Sequence, residues 1–299
     1  MDIPTIGLHG AYRRNDIVEH CGRHCLDTAL AIGSLRALWK GVVVDATRWL
    51  DPRTRAAAAQ LSLGPRVALV GATAARLFGL TAIEDGRVHV VVPYRCSARG
   101  GRGLAVHRAD GWENEIVEVD GLQTLPPDRI IADLLCTLPH PRDALALADE
   151  ALRQAEEDHE ALAKRIAERI RLRRDPRGTA RAAFLLSVAS PAAESPPESW
   201  VRLRLIELGF PVPEVNWTLR DCRDEAVARI DLAWPALRIA VEYDGYESHR
   251  GREAADLARQ RDLERRGWIV VRVRIGDLVD VYRFEAELRA AFARRGYTW

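Results

Sequence analysis

The clearest pattern of apolar and polar positions along the chain lies in its C-terminal third. Residues 229–233 and 237–243 alternate with a period of two, which predicts two strands that are each buried on one face. Residues 268–273 are almost all apolar, which is typical of a strand buried on both faces. Helical spacing of apolar residues predicts helices at 196–208, 253–266 and close to the C-terminus. The predicted order is therefore αββαβα, with a mixed central sheet.

The pattern changes twice before that region, and it predicts an α/β multidomain protein with three domains. Residues 1–60 combine short helical patterns with an apolar run at 41–46, an order that suits a winged-helix-like domain. Residues 61–190 mix short predicted strands, a glycine-rich loop and long helices, which indicates a mixed α+β middle domain with a helical connector. The Ala-, Ser- and Pro-rich stretch 191–197 marks the start of the third domain, residues 191–299.

Composition narrows the class of protein. The 299 residues are 47% hydrophobic and 29% charged, which excludes wholesale disorder and fibrous structure. A net charge of +1 argues against a polycation, but it leaves room for a local basic face. No apolar run approaches the roughly 18 residues of a membrane span, and residues 1–10 lack a signal-peptide pattern. We therefore expect a cytoplasmic protein with free cysteines and no membrane partner.

Three carboxylates are predicted to share one face of the C-terminal sheet. Alternation puts the apolar side chains of both strands on one face and Asp231, Glu242 and Asp244 on the other. A turn at 235–236 would place Asp231 beside Ala240, with Glu242 as a diagonal neighbour within ~8 Å. Like charges this close repel one another unless a cation lies between them. Hard oxygen ligands on a rigid sheet suit Mg²⁺, so the pattern predicts a magnesium site.

Each acid also has a purely structural interpretation. The carboxylates of the strand face could pair with Arg229 and Arg238 as an ordinary exposed acidic surface. Glu198 follows Ser195 by three positions, so its carboxylate could return to the Ser195 backbone N–H as a capping box. The functional hypothesis makes Glu198 a fourth acid near the metal instead.

In their order, these residues resemble a known family, the Vsr-like (very-short-patch-repair-like) endonuclease domain of the PD-(D/E)XK nuclease superfamily. The resemblance covers about residues 195–275 and implies a restriction-endonuclease-like fold. It also implies hydrolysis of DNA phosphodiester bonds with Mg²⁺ or Mn²⁺. The elements that carry it are, in chain order, Ser195-Pro-Pro-Glu198, Asp231, Glu242-Tyr-Asp244-Gly245, His249, a helix with Asp256, Arg259 and Leu263, and Gly267-Trp268-Ile-Val270-Val-Arg272.

The resemblance implies a role for each matching residue. Asp231 and Glu242 would bind the metal, and the backbone carbonyl of Tyr243 would be a further ligand. Glu198 would be the helix acid, which reaches the metal through a water molecule. His249 would activate the attacking water or assist the leaving group, and an imidazole that titrates near neutral pH can do either.

One departure from the superfamily's pattern concerns the cation that assists the water. The superfamily usually has a lysine two positions after the second acid, and this sequence has Asp244 at that position. The Vsr-like branch also lacks the lysine. Only two of the 44 basic residues are lysines, and none follows Lys164. Asp256 and Arg259 are predicted to support the site from one helical face, either as an orienting ion pair or through contact of Arg259 with phosphate. We therefore expect Asp244, His249 or Arg259 to share the lysine's role.

The upstream region resembles a second family, the AbiEi-type antitoxin/transcriptional regulators, over about residues 12–155. The matching segments are GATAARLFGL at 71–80, RVHVVVP at 87–93, GLAVHR at 103–108 and PDRIIADL at 127–134. The resemblance implies a winged-helix DNA-binding domain before a mixed α/β domain. Candidate phosphate contacts are Arg13, Arg14, Arg36 and Lys40, with Arg250 in the C-terminal domain.

Two main hypotheses of function follow, and a third is weaker. The first is a metal-dependent DNA endonuclease that acts in repair or defence. The second is a DNA-binding transcriptional regulator or antitoxin-like protein whose nuclease fold does not cut. The third is a module that binds a partner protein. The sequence leaves open the DNA substrate, a toxin or other protein partner, and the oligomeric state.

Overall fold

A computed structural model of the protein describes residues 7–155, 158–244 and 253–297, and side chains throughout these ranges except those of residues 253–257. Within this part the chain is mixed α/β, with eleven α-helices and three sheets that are mixed or antiparallel. The predicted mixed α/β class is thereby confirmed. The chain divides into two compact units, Met1–Leu134 and Leu135–Trp299. The three predicted domain boundaries stay a prediction.

The first unit begins with a small antiparallel sheet and two short helices. In the sheet order β1-β3-β2, the last strand of the chain order lies in the middle. Ile17, Leu26, Leu35 and Val43 form the buried core between the helices and the sheet. The elements are β1 Ala11–Arg13, α1 Arg14–Cys21, α2 Arg23–Ala31, β2 Leu35–Ala37 and β3 Val42–Asp45.

A third helix, α3 Pro52–Leu63, packs against both sheets of the first unit. Its start is encoded locally, because the Asp51 side chain accepts a hydrogen bond from the Thr54 backbone N–H at 2.8 Å and Pro52 occupies the first turn. The four alanines 56–59 are completely buried, which lets the helix approach its neighbours closely.

The second sheet of this unit has five strands in the order β6-β5-β4-β8-β7. The pairs β5/β6 and β4/β8 are parallel and the others are antiparallel. The sheet is therefore mixed. Its elements are β4 Ala68–Leu69, α4 Gly71–Leu77, β5 Val88–Val92, β6 Leu104–Arg108, β7 Val117–Val119 and β8 Leu122–Thr124, followed by α5 Pro127–Thr137 across the boundary between the units.

The second unit opens with four helices, of which the first packs against the other three. Asp149 on the first helix and Arg202 on the fourth form an ion pair that is almost completely buried. The Ser199 hydroxyl and the backbone N–H of Ser190 also donate hydrogen bonds to Asp149. A buried network of polar contacts therefore links these helices. The helices are α6 Pro141–Gln154, α7 His159–Arg171, α8 Thr179–Ser187 and α9 Pro196–Glu207.

A four-stranded sheet follows, and it contains one strand more than predicted. The order β12-β11-β10-β9 is antiparallel except for the parallel pair β11/β12, so the predicted mixed sheet is confirmed. The predicted order αββαβα is wrong, because an additional strand after α9 makes it αβββαβα. The elements are β9 Glu214–Arg220, β10 Ala226–Trp234, β11 Ile239–Tyr243, α10 Glu253–Arg265, β12 Ile269–Val273 and α11 Tyr282–Arg294.

This sheet buries both of its faces. Leu232 and Val241 pack with residues of α9 and α11 on one face. Ala233 and Ala240 pack with Leu263 of α10 on the other. Pairing Asp231 with Ala240 was wrong by two residues, since Ala240 pairs with Ala233. A shift of two residues preserves the face on which Asp231 and Glu242 lie. The predicted face of Ile230 was wrong, since Ile230 packs with Ala233 and Ala240 and not with Leu232.

None of the helices within the described ranges combines the length and apolar character that a membrane crossing requires.

Candidate active site

Asp231 and Glu242 lie where two central strands of the C-terminal sheet stop pairing. The last paired positions of β10 and β11 in this direction are Leu232 and Val241, so the same register carried one residue further puts Asp231 opposite Glu242. The backbone N–H of Tyr243 donates to Asp231 Oδ2 at 2.9 Å, which fixes that carboxylate against the neighbouring strand. The antiparallel register, together with the alternation, brings these two acids together.

Glu198 approaches from the first turn of α9 and is 9% exposed. Its carboxylate accepts hydrogen bonds from the Ser195 hydroxyl at 2.7 Å, the Asn216 side-chain amide at 2.7 Å and the Glu194 backbone N–H at 3.1 Å. The capping-box alternative is therefore wrong in its detail: the backbone donor is that of Glu194, and the Ser195 side chain caps no helix N–H. These three donors aim the Glu198 carboxylate at a defined position.

Sequence reasoning missed Asn216, which orients Glu198 from the additional strand β9. Its amide donates to both Glu198 Oε2 and the Ala192 carbonyl, at 2.7 Å each. Its backbone has a φ of 50°, in the left-handed region that Asn tolerates better than most residues. No sequence signal marks this role, because Asn216 occupies a polar position of the alternation, as Thr218 does.

The charges of Glu198 and Glu242 act on Asp231. Burial, above all, and then the nearby carboxylates of Glu198 and Glu242 raise the pKa of Asp231 to about 6. The Tyr243 N–H and the Arg259 guanidinium oppose this rise. Such a carboxyl group takes up a proton, or attracts a cation, far more readily than an isolated aspartate. The geometry thus concentrates negative charge at one point of the sheet.

Arg259 on α10 brings a positive charge into contact with this cluster. Its Nη2 donates to Glu242 Oε1 at 2.9 Å and also to the backbone carbonyl of Arg229. The Arg229 side chain in turn forms an ion pair with Glu194, whose N–H holds Glu198. A continuous polar network therefore links α9, β10 and α10 around the acids.

Asp244 has different partners from the other acids. Its Oδ2 lies 3.5 Å from Arg274 Nε and 3.9 Å from Arg272 Nη1, and its backbone N–H donates to the Val273 carbonyl at 2.8 Å. These contacts join the end of β11 to β12.

The structure does not describe the side chains of three predicted site residues. His249 and Arg250 lie outside the described residues, and so does the side chain of Asp256. Their predicted roles stay predictions.

The donor chemistry of Glu198, Asp231 and Glu242 fits a hard divalent cation, because all their donors are carboxylate oxygens and the pKa of Asp231 is raised. The arrangement of these carboxylates in space is a different question from their chemistry. No group of three or more His, Cys, Asp or Glu side chains within the described ranges is arranged to hold a metal ion. Each of the three carboxylates accepts a hydrogen bond from the protein instead. A bound cation would compete with these donors, and with Arg259 above all.

The N-terminal candidates for phosphate contact lie on or beside the first small sheet. Arg13 is on β1, Arg14 opens α1, Arg36 is on β2, and Lys40 lies in the turn between β2 and β3. Arg13, Arg36 and Lys40 are exposed, and Arg14 is half-buried. The Arg36 guanidinium lies over the Trp49 ring, 4.7 Å from its centroid. These side chains are accessible to a polyanion without any rearrangement of the core.

Fold and site together define a mixed α/β protein with a buried carboxylate cluster where two strands of its C-terminal sheet stop pairing. No family model matches the chain. The chain is similar to the uncharacterized proteins MT2308 of Mycobacterium tuberculosis strain CDC 1551 / Oshkosh and Rv2248 of strain ATCC 25618 / H37Rv. Each is 32% identical over 274 residues, which cover 91% of this chain and 96% of the relative. The chain belongs to the family of these mycobacterial proteins.

Proposed function

We propose that the protein is a metal-dependent DNA endonuclease that hydrolyses phosphodiester bonds. The observation that carries the proposal is the convergence of three carboxylates: the strand register puts Asp231 opposite Glu242, and the charges of Glu198 and Glu242 both act on Asp231. Burial and these two charges raise the pKa of Asp231. Buried carboxylates with a raised pKa are typical of sites that bind a cation or move a proton. The Vsr-like sequence pattern supports the same interpretation, and so does the αβββαβα order with its mixed sheet.

Each residue of the site has a separate role in the proposed hydrolysis of a phosphodiester bond. Asp231 and Glu242 would hold Mg²⁺ or Mn²⁺, with the Tyr243 carbonyl beside them and Glu198 reaching the metal through water. When bound, such a cation supplies an acidified water and neutralises charge on the phosphate. Asn216 and Ser195 orient Glu198, and the Tyr243 N–H orients Asp231. His249 is proposed as the group that exchanges a proton with the water or the leaving oxygen.

DNA contact is proposed for the N-terminal region and the arginines near the site. The order β1-α1-α2-β2-β3 with the sheet order β1-β3-β2 is compatible with the expected winged-helix-like domain. Arg13, Arg36 and Lys40 are exposed there and carry charge that would meet phosphates. In this proposal the protein acts in the cytoplasm, in repair or in defence against incoming DNA.

A second candidate function is a DNA-binding regulator, or antitoxin-like protein, that does not cut. The contact of Arg259 with Glu242 favours it, because a guanidinium already neutralises one of the proposed metal ligands. A nuclease fold that had replaced its metal with an arginine would keep the network and lose the chemistry. The two functions differ in whether DNA is cleaved.

A plasmid-nicking assay with the full chain and Mg²⁺ or Mn²⁺ separates them, with Asp231→Asn as the diagnostic variant. The matched control is Asp224→Asn, an aspartate that is 86% exposed in the loop between β9 and β10. We expect the wild type and D224N to nick DNA and D231N to lose at least about 100-fold in rate. Binding in gel shifts without any nicking would favour the regulator. If the protein neither binds nor nicks DNA at low salt, both functions are refuted.

A further inference from the structure

The side chain of Glu242 is buried, and its ion pair with Arg259 joins it to a side chain that is partly exposed to solvent. Glu242 is 8% exposed, and a carboxylate with so little solvent needs a compensating charge. Arg259 supplies it at 2.9 Å, although the Arg259 side chain itself is 43% exposed. One end of the ion pair is therefore fixed inside the protein, and the other can be reached from solvent.

The position of Arg259 conflicts with a divalent cation on Glu242. A guanidinium in hydrogen-bond contact with Oε1 repels a second positive charge at the same carboxylate. The same Nη2 also donates to the Arg229 carbonyl, so the contact depends on a single nitrogen that bridges two acceptors. A phosphate offers a guanidinium a bidentate contact, which is the stronger geometry.

We infer that Arg259 is an exchangeable counter-ion: it neutralises Glu242 in the free protein and transfers to a DNA phosphate when DNA binds, which makes Glu242 available to the cation. The inference rests on the proposed function in one respect, that DNA and a cation meet at this site. It adds that the two bind with positive coupling, and that Arg259 is the positioning residue responsible. By reciprocity, the cation also strengthens DNA binding by the same factor.

The test measures Mn²⁺ affinity of the full chain by electron paramagnetic resonance, with and without a short DNA duplex. The variants are Arg259→Gln, which removes the charge, and Arg259→Lys, which retains it. Arg261→Gln is the matched control, because it removes one exposed charge from the same helix. Thermal unfolding of each variant checks that it is folded. If R259Q is not folded, the effect of DNA on the Mn²⁺ affinity of the wild type still tests the inference.

Without DNA, we expect R259Q to bind Mn²⁺ about tenfold more tightly than the wild type, with R259K and R261Q close to wild type. Duplex DNA should raise the Mn²⁺ affinity of the wild type about tenfold and that of R259Q by much less. Weaker or unchanged Mn²⁺ binding by R259Q without DNA would overturn the inference. So would an absence of Mn²⁺ binding in every variant, or a wild-type affinity that DNA does not change.

Failure of this inference and failure of the proposed function give different results. Coupling between Mn²⁺ and DNA without plasmid nicking would refute the nuclease and leave the role of Arg259 intact. If the wild type nicks DNA but its Mn²⁺ affinity does not change when DNA is added, the role of Arg259 is refuted and the nuclease function stands.

Discussion

Replacing Asp231 by Asn should make the protein more stable at about pH 8, although it removes a proposed metal ligand. The wild-type carboxylate is ionised at that pH in a place where burial and two other acids oppose its charge. Asparagine has nearly the same shape without the charge, and its carbonyl oxygen can still accept from the Tyr243 N–H. The substitution therefore removes a cost of folding and keeps the hydrogen bond.

The magnitude follows from the pKa of Asp231 in the folded protein, about 6, against its ordinary value of 3.8. The folded protein holds the proton more tightly than the unfolded chain does. The resulting stability is fully present below about pH 4 and is lost as the pH rises through about 6. A difference of about two pH units at 1.36 kcal/mol each gives about 3 kcal/mol. The wild type should lose about this much between the two limits.

The assay is urea-induced unfolding followed by tryptophan fluorescence, without metal, at about pH 4 and about pH 8. We expect D231N to exceed the wild type by about 2–3 kcal/mol at the higher pH and to match it at the lower. The exposed control D224N should follow the wild type at both. The reasoning is refuted if D231N gains nothing at about pH 8, or if its dependence on pH between the two values equals that of the wild type.

Three further predictions concern other parts of the molecule. Asp149→Ala should lower the free energy of unfolding by about 3–5 kcal/mol, because it leaves the guanidinium of Arg202 buried without its partner; urea unfolding measures this. Gly178→Ala should cost more than about 2 kcal/mol in the same assay, because at a φ of 77° the new Cβ would lie 2.2 Å from the Cys136 carbonyl oxygen. Replacing both Arg36 and Lys40 by Gln should reduce the slope of log K for DNA binding against log salt by about 2, measured by fluorescence anisotropy.

Each of these predictions has a control or a contrary outcome. Gly209→Ala matches Gly178→Ala in backbone conformation, with a φ of 84°, but its Cβ meets nothing within 4 Å. Only the left-handed backbone then opposes alanine, at a cost of about 1 kcal/mol. Equal losses for the two glycines would contradict the steric argument. A salt slope unaffected by the double substitution would exclude Arg36 and Lys40 as phosphate contacts. Wild-type stability in D149A would mean that the buried pair contributes nothing.

Local pattern determined which face of the C-terminal sheet carries the acids. Alternation with a period of two is a property of the strand itself, so Asp231 and Glu242 could be assigned to one side without knowledge of their partners. For the same reason an error of two residues in the register changed their neighbours and left their face unchanged. The apolar run at 268–273 correctly predicted a strand, β12. The expected burial on both faces was wrong, because β12 lies at the edge of the sheet and only Val271 and Val273 are buried in it.

The tertiary structure alone decided how the acids are held and charged. Glu198 and Asn216 are 18 residues apart in the sequence, and Glu242 and Arg259 are 17 apart. A pattern of neighbouring residues cannot predict contacts at such separations. The additional strand β9 was needed to bring Asn216 to the site, and the position of α10 was needed to bring Arg259. The pKa of Asp231 depends on burial and on charges from three different elements. Sequence therefore specifies which groups can meet, whereas only packing determines the distances and the solvent exposure on which their chemistry depends.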